Sequence, residues 1–412
     1  MKGYSWNLNH RIMKILLKTI VNQIITYGAT IWAFPITARK NRTLNSIQRP
    51  FLINITRSFS TTSSNALQTI AGVTPLPIQT EIDALSTIIL QLKKTSTYNG
   101  VIFNPHEYEE KPSKYNRHPA LGLHNLHCNL DKPPPSTDFT AYTDGSKIEN
   151  KVGSGVTIKT KTGLHSEWQG YLRPQNSVYQ AELIAILNSI MQLNDLNTDT
   201  IHVITDSQSS IHAIKQQHTN SPIARQIQDI INTSNKKFVL SWTRRHNAFE
   251  GNERADYLAK QAALEQTGSQ IHIPWPKSAL KYKLKQMANE KWQRQWKQGP
   301  QGRRTFELLP KADENTTIST YFLTQYISGH DPFPKYFYDR NMATSDRCIC
   351  GECGDPEHYM FQCPLTSAHY IRHPTDTGIE FRRFIIKHRK VFQNIKNIID
   401  FLHRQGLDLC HP

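Results

Sequence analysis

The chain has 412 residues, 38% of them hydrophobic, and its 49 Lys and Arg exceed 33 Asp and Glu to give a formal net charge of +16. That length accommodates two or three compact domains, and the cationic excess points to a polyanionic partner, with nucleic acid the first choice. No apolar run is long enough to span a bilayer, and no small-residue cleavage site follows the basic start Met1 to Lys18, so the expectation is an intracellular soluble protein, nuclear or cytoplasmic, with no membrane partner.

In chain order, residues 10–34 carry an apolar helical period from Ile12 through Leu16 and Ile20 to Ile24, running into Tyr27-Gly28-Ala29 and Trp32. A second helical stretch, Thr43 to Ile55, places Leu44, Ile47, Phe51 and Ile55 on one face. A third starts at Asn65 and stops at Gly72 and Pro75. Alone these are core stripes of a helical region, 1–98. Residues 99–137 are rich in Pro, Asn, His and Lys with little periodicity, close on Pro133-Pro134-Pro135, and read as a linker.

Residues 138–266 change character. Strand-like runs appear at Phe139–Thr143, Gly153–Lys159, His165–Gly170, Ile201–Thr205 and Phe238–Trp242. Helical patterns run from Gln180 to Leu193, Ser209 to Gln217, Pro222 to Asn232 and Arg254 to Glu265. Three early strands followed by alternating strand and helix predict an α/β fold, a mixed five-stranded sheet flanked by helices. Residues 267–346 read as a basic and aromatic helical connector. Between Lys277 and Arg304 there are nine Lys or Arg and one acidic residue, Glu290, with Trp292 and Trp296 one turn apart. Two readings stand for that segment: tryptophans packed on a neighbour, or a surface that tracks phosphates. An amphipathic helical tail occupies 365–412.

Four acidic residues stand out by their settings. Asp144 ends the run Phe139–Thr143, with a glycine turn at Gly145-Ser146. Glu182 lies in Gln180-Ala181-Glu182-Leu183, in the first turn of a helix. Asp206 ends Ile201–Thr205 and opens a helix at Ser207-Gln208. Asp256 closes Gly251-Asn252-Glu253-Arg254-Ala255-Asp256 at another helix start. Strand ends and helix starts meet along one rim of an α/β sheet, where ligands bind. Singly, each is an ordinary cap or turn former. Jointly, four carboxylates at one point repel each other unless divalent cations sit between them.

That joint pattern resembles ribonuclease H type 1, on Thr143-Asp144-Gly145-Ser146, Ala181-Glu182-Leu183, Thr205-Asp206-Ser207-Gln208 and Gly251 to Asp256. The resemblance implies an endonuclease that cuts the RNA strand of RNA–DNA hybrids and leaves 5′-phosphate and 3′-hydroxyl ends. It implies that Asp144, Glu182, Asp206 and Asp256 hold two Mg²⁺ ions, for which Mn²⁺ can substitute. His246, in Arg244-Arg245-His246-Asn247-Ala248, takes the place of a histidine that moves protons or releases product, although Arg245 and Ala248 stand where the family has glycines. Gly145, Ser146 and Gln208 are the candidates for contact with substrate 2′-hydroxyls.

Of the six cysteines, four crowd into 347–364, where Cys348, Cys350, Cys353, His358 and Cys363 offer five ligands for the four places of a tetrahedral Zn²⁺. Clustering with a histidine favours a structural metal in a reducing compartment over a disulfide framework. Cys-x₂-Cys with His-x₄-Cys is chemically sound. The tail also resembles the C-termini of non-LTR retrotransposon proteins, on Ile327-Ser328-Gly329-His330 and Cys363-Pro364, and that likeness implies Cys348, Cys350, His358 and Cys363. Tyr27-Gly28, Ile47-Gln48-Arg49 and Ala71 to Leu76 resemble the thumb-like end of the reverse transcriptase in the same proteins, while the paired-aspartate polymerase motif occurs nowhere. The expectation is therefore the C-terminal part of such a polyprotein. The alternative is a non-catalytic nucleic-acid-binding remnant of one.

Overall fold

The computed structural model describes residues 8–112, 122–130, 138–244, 250–372 and 378–405. They form two compact units, residues 89–282 and residues 1–88 with 283–412.

The unit 89–282 opens with the hairpin β1 (Ser96–Tyr98) and β2 (Val101–Phe103). Its turn residues, Asn99 and Gly100, both have positive φ, as a tight two-residue turn demands. The main sheet contains β3 (Leu126–Asn129), β4 (Phe139–Ile148), β5 (Lys151–Thr160), β6 (Gly163–Leu172), β7 (Thr200–Thr205), β8 (Lys237–Trp242) and β9 (Ser269–Gln270), in the order β3-β8-β7-β4-β5-β6-β9. Strands β4, β5 and β6 form an antiparallel meander, while β7 and β8 run parallel to β4. The five expected strands are the middle of a seven-stranded sheet. Both additions are short edge strands, β3 from the stretch read as a linker and β9 from the stretch read as a helical connector. Two to four residues are too few to show an alternating pattern.

Three helices pack on this sheet, α1 (Val178–Asn194), α2 (Gln208–Lys215) and α4 (Glu250–Glu265), while α3 (Pro222–Thr233) packs against α1 and α2. Helix α1 starts in a capping box, the Ser177 hydroxyl taking the Gln180 N–H while the Gln180 side chain takes the Ser177 N–H. Its residues Leu183, Ile186, Leu187 and Ile190 join Ala141, Val156, Val203 and Leu240 of the sheet in one buried cluster. Helix α4 covers the opposite approach with small residues: Ala255 and Ala259 are fully buried. A Cβ at Gly155 would lie 2.3 Å from Ala255 O, and one at Gly153 2.3 Å from Ala259 O. Those two glycines let the helix backbone come down onto β5.

The other unit is largely helical. The first helical stretch is interrupted by a π-helical turn, Leu17–Val21, between His10–Leu16 and Asn22–Thr26. The second runs from Ala38 to Thr56, one turn earlier than its apolar period suggests, because the Thr37 hydroxyl caps the polar turn Ala38-Arg39-Lys40-Asn41. The third, Ser64–Ala71, ends at Gly72 in the left-handed region, where a Cβ would meet Thr316 O at 1.8 Å. Trp292 and Trp296 are buried to 2% and 1% exposure, and Trp296 Nε1 donates to Leu309 O at 2.8 Å. The pair is therefore core and presents no stacking surface. Tyr326, Phe333, Phe337 and Tyr359 pack with Ile398 in a second hydrophobic core farther along.

Candidate active site and metal-binding cluster

The register of the parallel strands builds the site. Thr143 of β4 lies opposite Thr205 of β7, so the next residues, Asp144 and Asp206, emerge side by side. β7 ends there, whereas β4 continues to Ile148 paired only with β5 on its other side. Asp144 is thus inside a strand, and Gly145 is not a turn residue as the sequence suggested. A Cβ on Gly145 would stand 2.5 Å from Glu182 N and 2.9 Å from Ala181 C. The missing side chain is what lets the start of α1 approach β4. The approach is fastened by Ser154 Oγ, which donates to Ala181 O at 2.8 Å. Gly155, the cross-strand partner of Asp144, leaves the room that α4 fills.

One oxygen each of Asp144, Glu182 and Asp206 lies within 4.8 Å of the others. Asp144 and Glu182 are 3% and 4% exposed. Glu182 is the fifth residue of α1, one turn deeper than the first-turn position expected for it. Asp256 also falls in a second turn, because α4 begins at Glu250. It lies outside the tight trio but lines the same cavity as Asp144 and Asp206, and its Oδ2 accepts from Lys260 Nζ at 2.5 Å. Gly145 and Ser146 line that cavity too. Gln208 lines an adjoining depression shared with Glu182, Asp206 and Arg244. His246 falls outside the described residues.

Several wall residues escaped the sequence reading. Lys260 was legible in principle, one helical turn past Asp256. Asn252 was not, since only packing shows it to be 8% exposed and part of the cavity wall. Its buried Oδ1 has no hydrogen-bond partner in the structure. An all-oxygen donor set of converging carboxylates, beside such an orphaned amide oxygen, fits a hard divalent cation and its water shell.

The second cluster lies in the unit 1–88 with 283–412. Ligand atoms of Cys348, Cys350, His358 and Cys363 all fall within 4.8 Å of one another. Cys350 Sγ is 3.2 Å from His358 Nε2, and Cys348 Sγ is 3.6 Å from Cys363 Sγ. Cys353 stays out of the group, its thiol directed to Asp346 Oδ2 at 3.8 Å. Gly351, at φ 96°, makes the turn after Cys350, and its N–H donates to Cys348 O. His358 rides on the helix Pro356–Phe361, capped by Asp355. The next residue back, Glu357, receives both terminal nitrogens of Arg304, at 2.8 and 2.9 Å, and Arg382 at 3.3 Å. Burial opposes ionisation of Cys348, yet the neighbouring Tyr359, Cys350 backbone and His358 outweigh it and bring the thiol down to about 7. Burial pushes Cys363 up to about 12. Three sulfurs and one imidazole, with Cys350 exposed and the other three ligands buried, suit a four-coordinate zinc ion.

Residues 136–264 match the RNase H family. The chain carries an RNase H domain. Its carboxylate trio and the cavity wall bearing Asp256 lie within the matched residues. Relatives include a retrovirus-related Pol polyprotein from type-1 retrotransposable element R1 4 of Nasonia vitripennis, 29% identical over 87 residues, which are 19% of this chain and 22% of that protein. The Gag-Pol polyprotein of feline leukemia virus is 31% identical over 134 residues, 30% of this chain and 7% of that one. The chain therefore spans a small part of the retroelement polyproteins to which it is related. Among solved structures, RNase H1 of Halobacterium salinarum is 25% identical, with 31% of this chain and 98% of that one covered and a TM-score of 0.27. LC11-RNase H1 in complex with RNA/DNA hybrid is 21% identical over 31% of this chain and 98% of that one, also at 0.27. Among the described residues, no helix is long and apolar enough to cross a membrane.

Proposed function

We propose that this RNase H domain hydrolyses the RNA strand of RNA–DNA hybrids in a divalent-cation-dependent reaction, as part of a retroelement replication protein. The observation that carries the proposal is the convergence of Asp144, Glu182 and Asp206 within 4.8 Å inside the matched domain. Asp144, Glu182, Asp206 and Asp256 are the residues that would hold two Mg²⁺, or Mn²⁺ in their place. When bound, such a pair activates a water for attack on the phosphorus and neutralises the charge that builds on the transition state. The chain's own part is placement. The strand register holds Asp144 and Asp206 abreast, and Gly145 admits Glu182 to them. Lys260 balances the charge of Asp256. Gly145, Ser146 and Gln208 face the substrate side, and His246 is assigned to proton transfer or product release. Cys348, Cys350, His358 and Cys363 would hold one structural zinc.

The test is cleavage of a labelled RNA–DNA hybrid with Mg²⁺ by the full chain and by Asp144→Asn. Loss of cutting in the variant, with hybrid binding retained, supports the proposal. Equal cutting by both rejects it. A wild-type chain that binds hybrid and never cuts would make the protein a binding remnant.

A further inference from the structure

The first turn of α1, which leads into Glu182, is held from outside residues 136–264. The segments on either side of that stretch meet in a small clasp. Glu109 N–H donates to Trp275 O at 2.8 Å, and Trp275 N–H donates to Glu107 O at 2.7 Å. The Trp275 ring meets Tyr108 edge-on with centroids 5.7 Å apart, and the Arg173 guanidinium lies 4.7 Å over it. From this clasp the Glu109 carboxylate reaches the helix start: Oε1 accepts from Gln180 Nε2 at 2.5 Å. Pro274 O accepts from the same amide at 3.0 Å. Gln180 Oε1 in turn accepts from Ser177 N at 3.1 Å and from Asn176 Nδ2 at 3.0 Å. Gln180 is 2% exposed, and its amide is engaged at both ends.

A helix's first turn has no internal bonds for its N–H groups, so its geometry depends on such external partners. Glu182 projects from the turn that follows. We propose that Glu109 is a positioning residue for the carboxylate site, acting through Gln180 to fix where Glu182 projects and so how tightly the site holds a divalent cation. This rests on the reading that the carboxylates bind cations. Burial raises the Glu109 carboxyl, with the Gln180 hydrogen bond and the Lys277 charge opposing. The half-buried carboxylate is thus partly kept from water at some cost, which a fully exposed side chain would avoid.

The test is Mn²⁺ binding by the full chain, measured by calorimetry, for wild type, Glu109→Ala, Glu109→Gln and Gln180→Met, beside hybrid binding without metal and the Mn²⁺ requirement of cleavage. Glu109→Ala and Gln180→Met are expected to weaken Mn²⁺ binding by about tenfold, the low end for residues that orient metal ligands. Metal-free hybrid affinity stays unchanged. Glu109→Gln keeps an acceptor oxygen and is expected to stay within about twofold of wild type on the same reasoning. A folded Glu109→Ala chain with wild-type Mn²⁺ affinity overturns the inference, and so does Glu109→Gln weakening as much as Ala. Should Glu109→Ala not fold, Gln180→Met decides: wild-type affinity there overturns the inference equally. A wild-type chain that binds Mn²⁺ in an Asp144-dependent way yet cuts nothing defeats the nuclease reading, and the calorimetry still decides the role of Glu109.

Discussion

Replacing Gly145 with alanine tests the central packing argument with a single methyl group. The added Cβ would sit 2.5 Å from Glu182 N, 2.9 Å from Ala181 C and 3.0 Å from Glu182 Cγ. Two of these neighbours are backbone, so no side-chain rotation relieves the clash. Restoring an ordinary 3.4 Å contact requires the strand and helix to part by about 0.9 Å. Overpacking of this kind costs about 1–3 kcal/mol of stability. A displacement near 1 Å at a group that must be aligned costs about 10²-fold in rate. The expected result is a folded chain, measurably less stable to urea, whose hybrid cleavage at saturating Mg²⁺ falls by about 10²-fold. Gly153→Ala would press on Ala259 O and Ala263 N of α4, away from Glu182. It is expected to lose comparable stability and less activity, since α4 carries Asp256 but no member of the trio. A Gly145→Ala chain with wild-type stability and turnover would refute the claim that this glycine exists to admit α1.

Asp256→Asn is expected to reduce cleavage less than Asp144→Asn, because Asp256 stands outside the trio and is already neutralised by Lys260; steady-state rates across a Mg²⁺ titration check the order. Metal analysis of the full chain should find about one zinc, kept by Cys353→Ser and lost by Cys350→Ser, since only Cys350 stands with the other three ligands. The pH dependence of stability should show His202. Burial lowers its pKa to about 4, while the unfolded imidazole titrates near 6.5. Above 6.5 neither state is protonated and stability is full. Below it the unfolded chain gains a proton that the folded chain refuses, so stability falls as pH drops towards 4. Hydrogen exchange of the β7 amides should report a loss of about 2 kcal/mol between pH 7.5 and 5, and His202→Gln should flatten that dependence.

How much of this was legible depended on whether the deciding interaction was local. The five central strands were legible because they are long and bounded by turns. Asp206 was legible as a strand end passing into a helix start, a purely local pattern. Gly145 was visible as a residue but misread in purpose, since its reason is the backbone of Ala181 and Glu182, 36 and 37 positions away. The choice between Cys350 and Cys353 was beyond spacing alone: it turns on the loop at Gly351 and on Asp346 drawing Cys353 aside. The Asn99-Gly100 hairpin is a miss of a different kind, because that dipeptide is a strong local turn signal overlooked within a stretch read by its composition.

The edges of the sheet explain why the folded unit is larger than the family match. Taken alone, the five central strands would end in β8 on one side and β6 on the other, with open hydrogen-bonding edges that invite pairing with other chains. β3 covers β8 and β9 covers β6. Leu123, Leu126 and Leu130 from before the match, and Ile271 and Ile273 from after it, pack on the same apolar cluster as α1. The chain leaves that core only where such contacts cease, and a domain's physical boundary is set there. The flanks that cap the sheet also bring Glu107, Glu109, Pro274 and Trp275 together at the start of α1. Closing the edges and steadying the helix that presents Glu182 are thus one structural act, carried out by residues whose own sequence shows neither task.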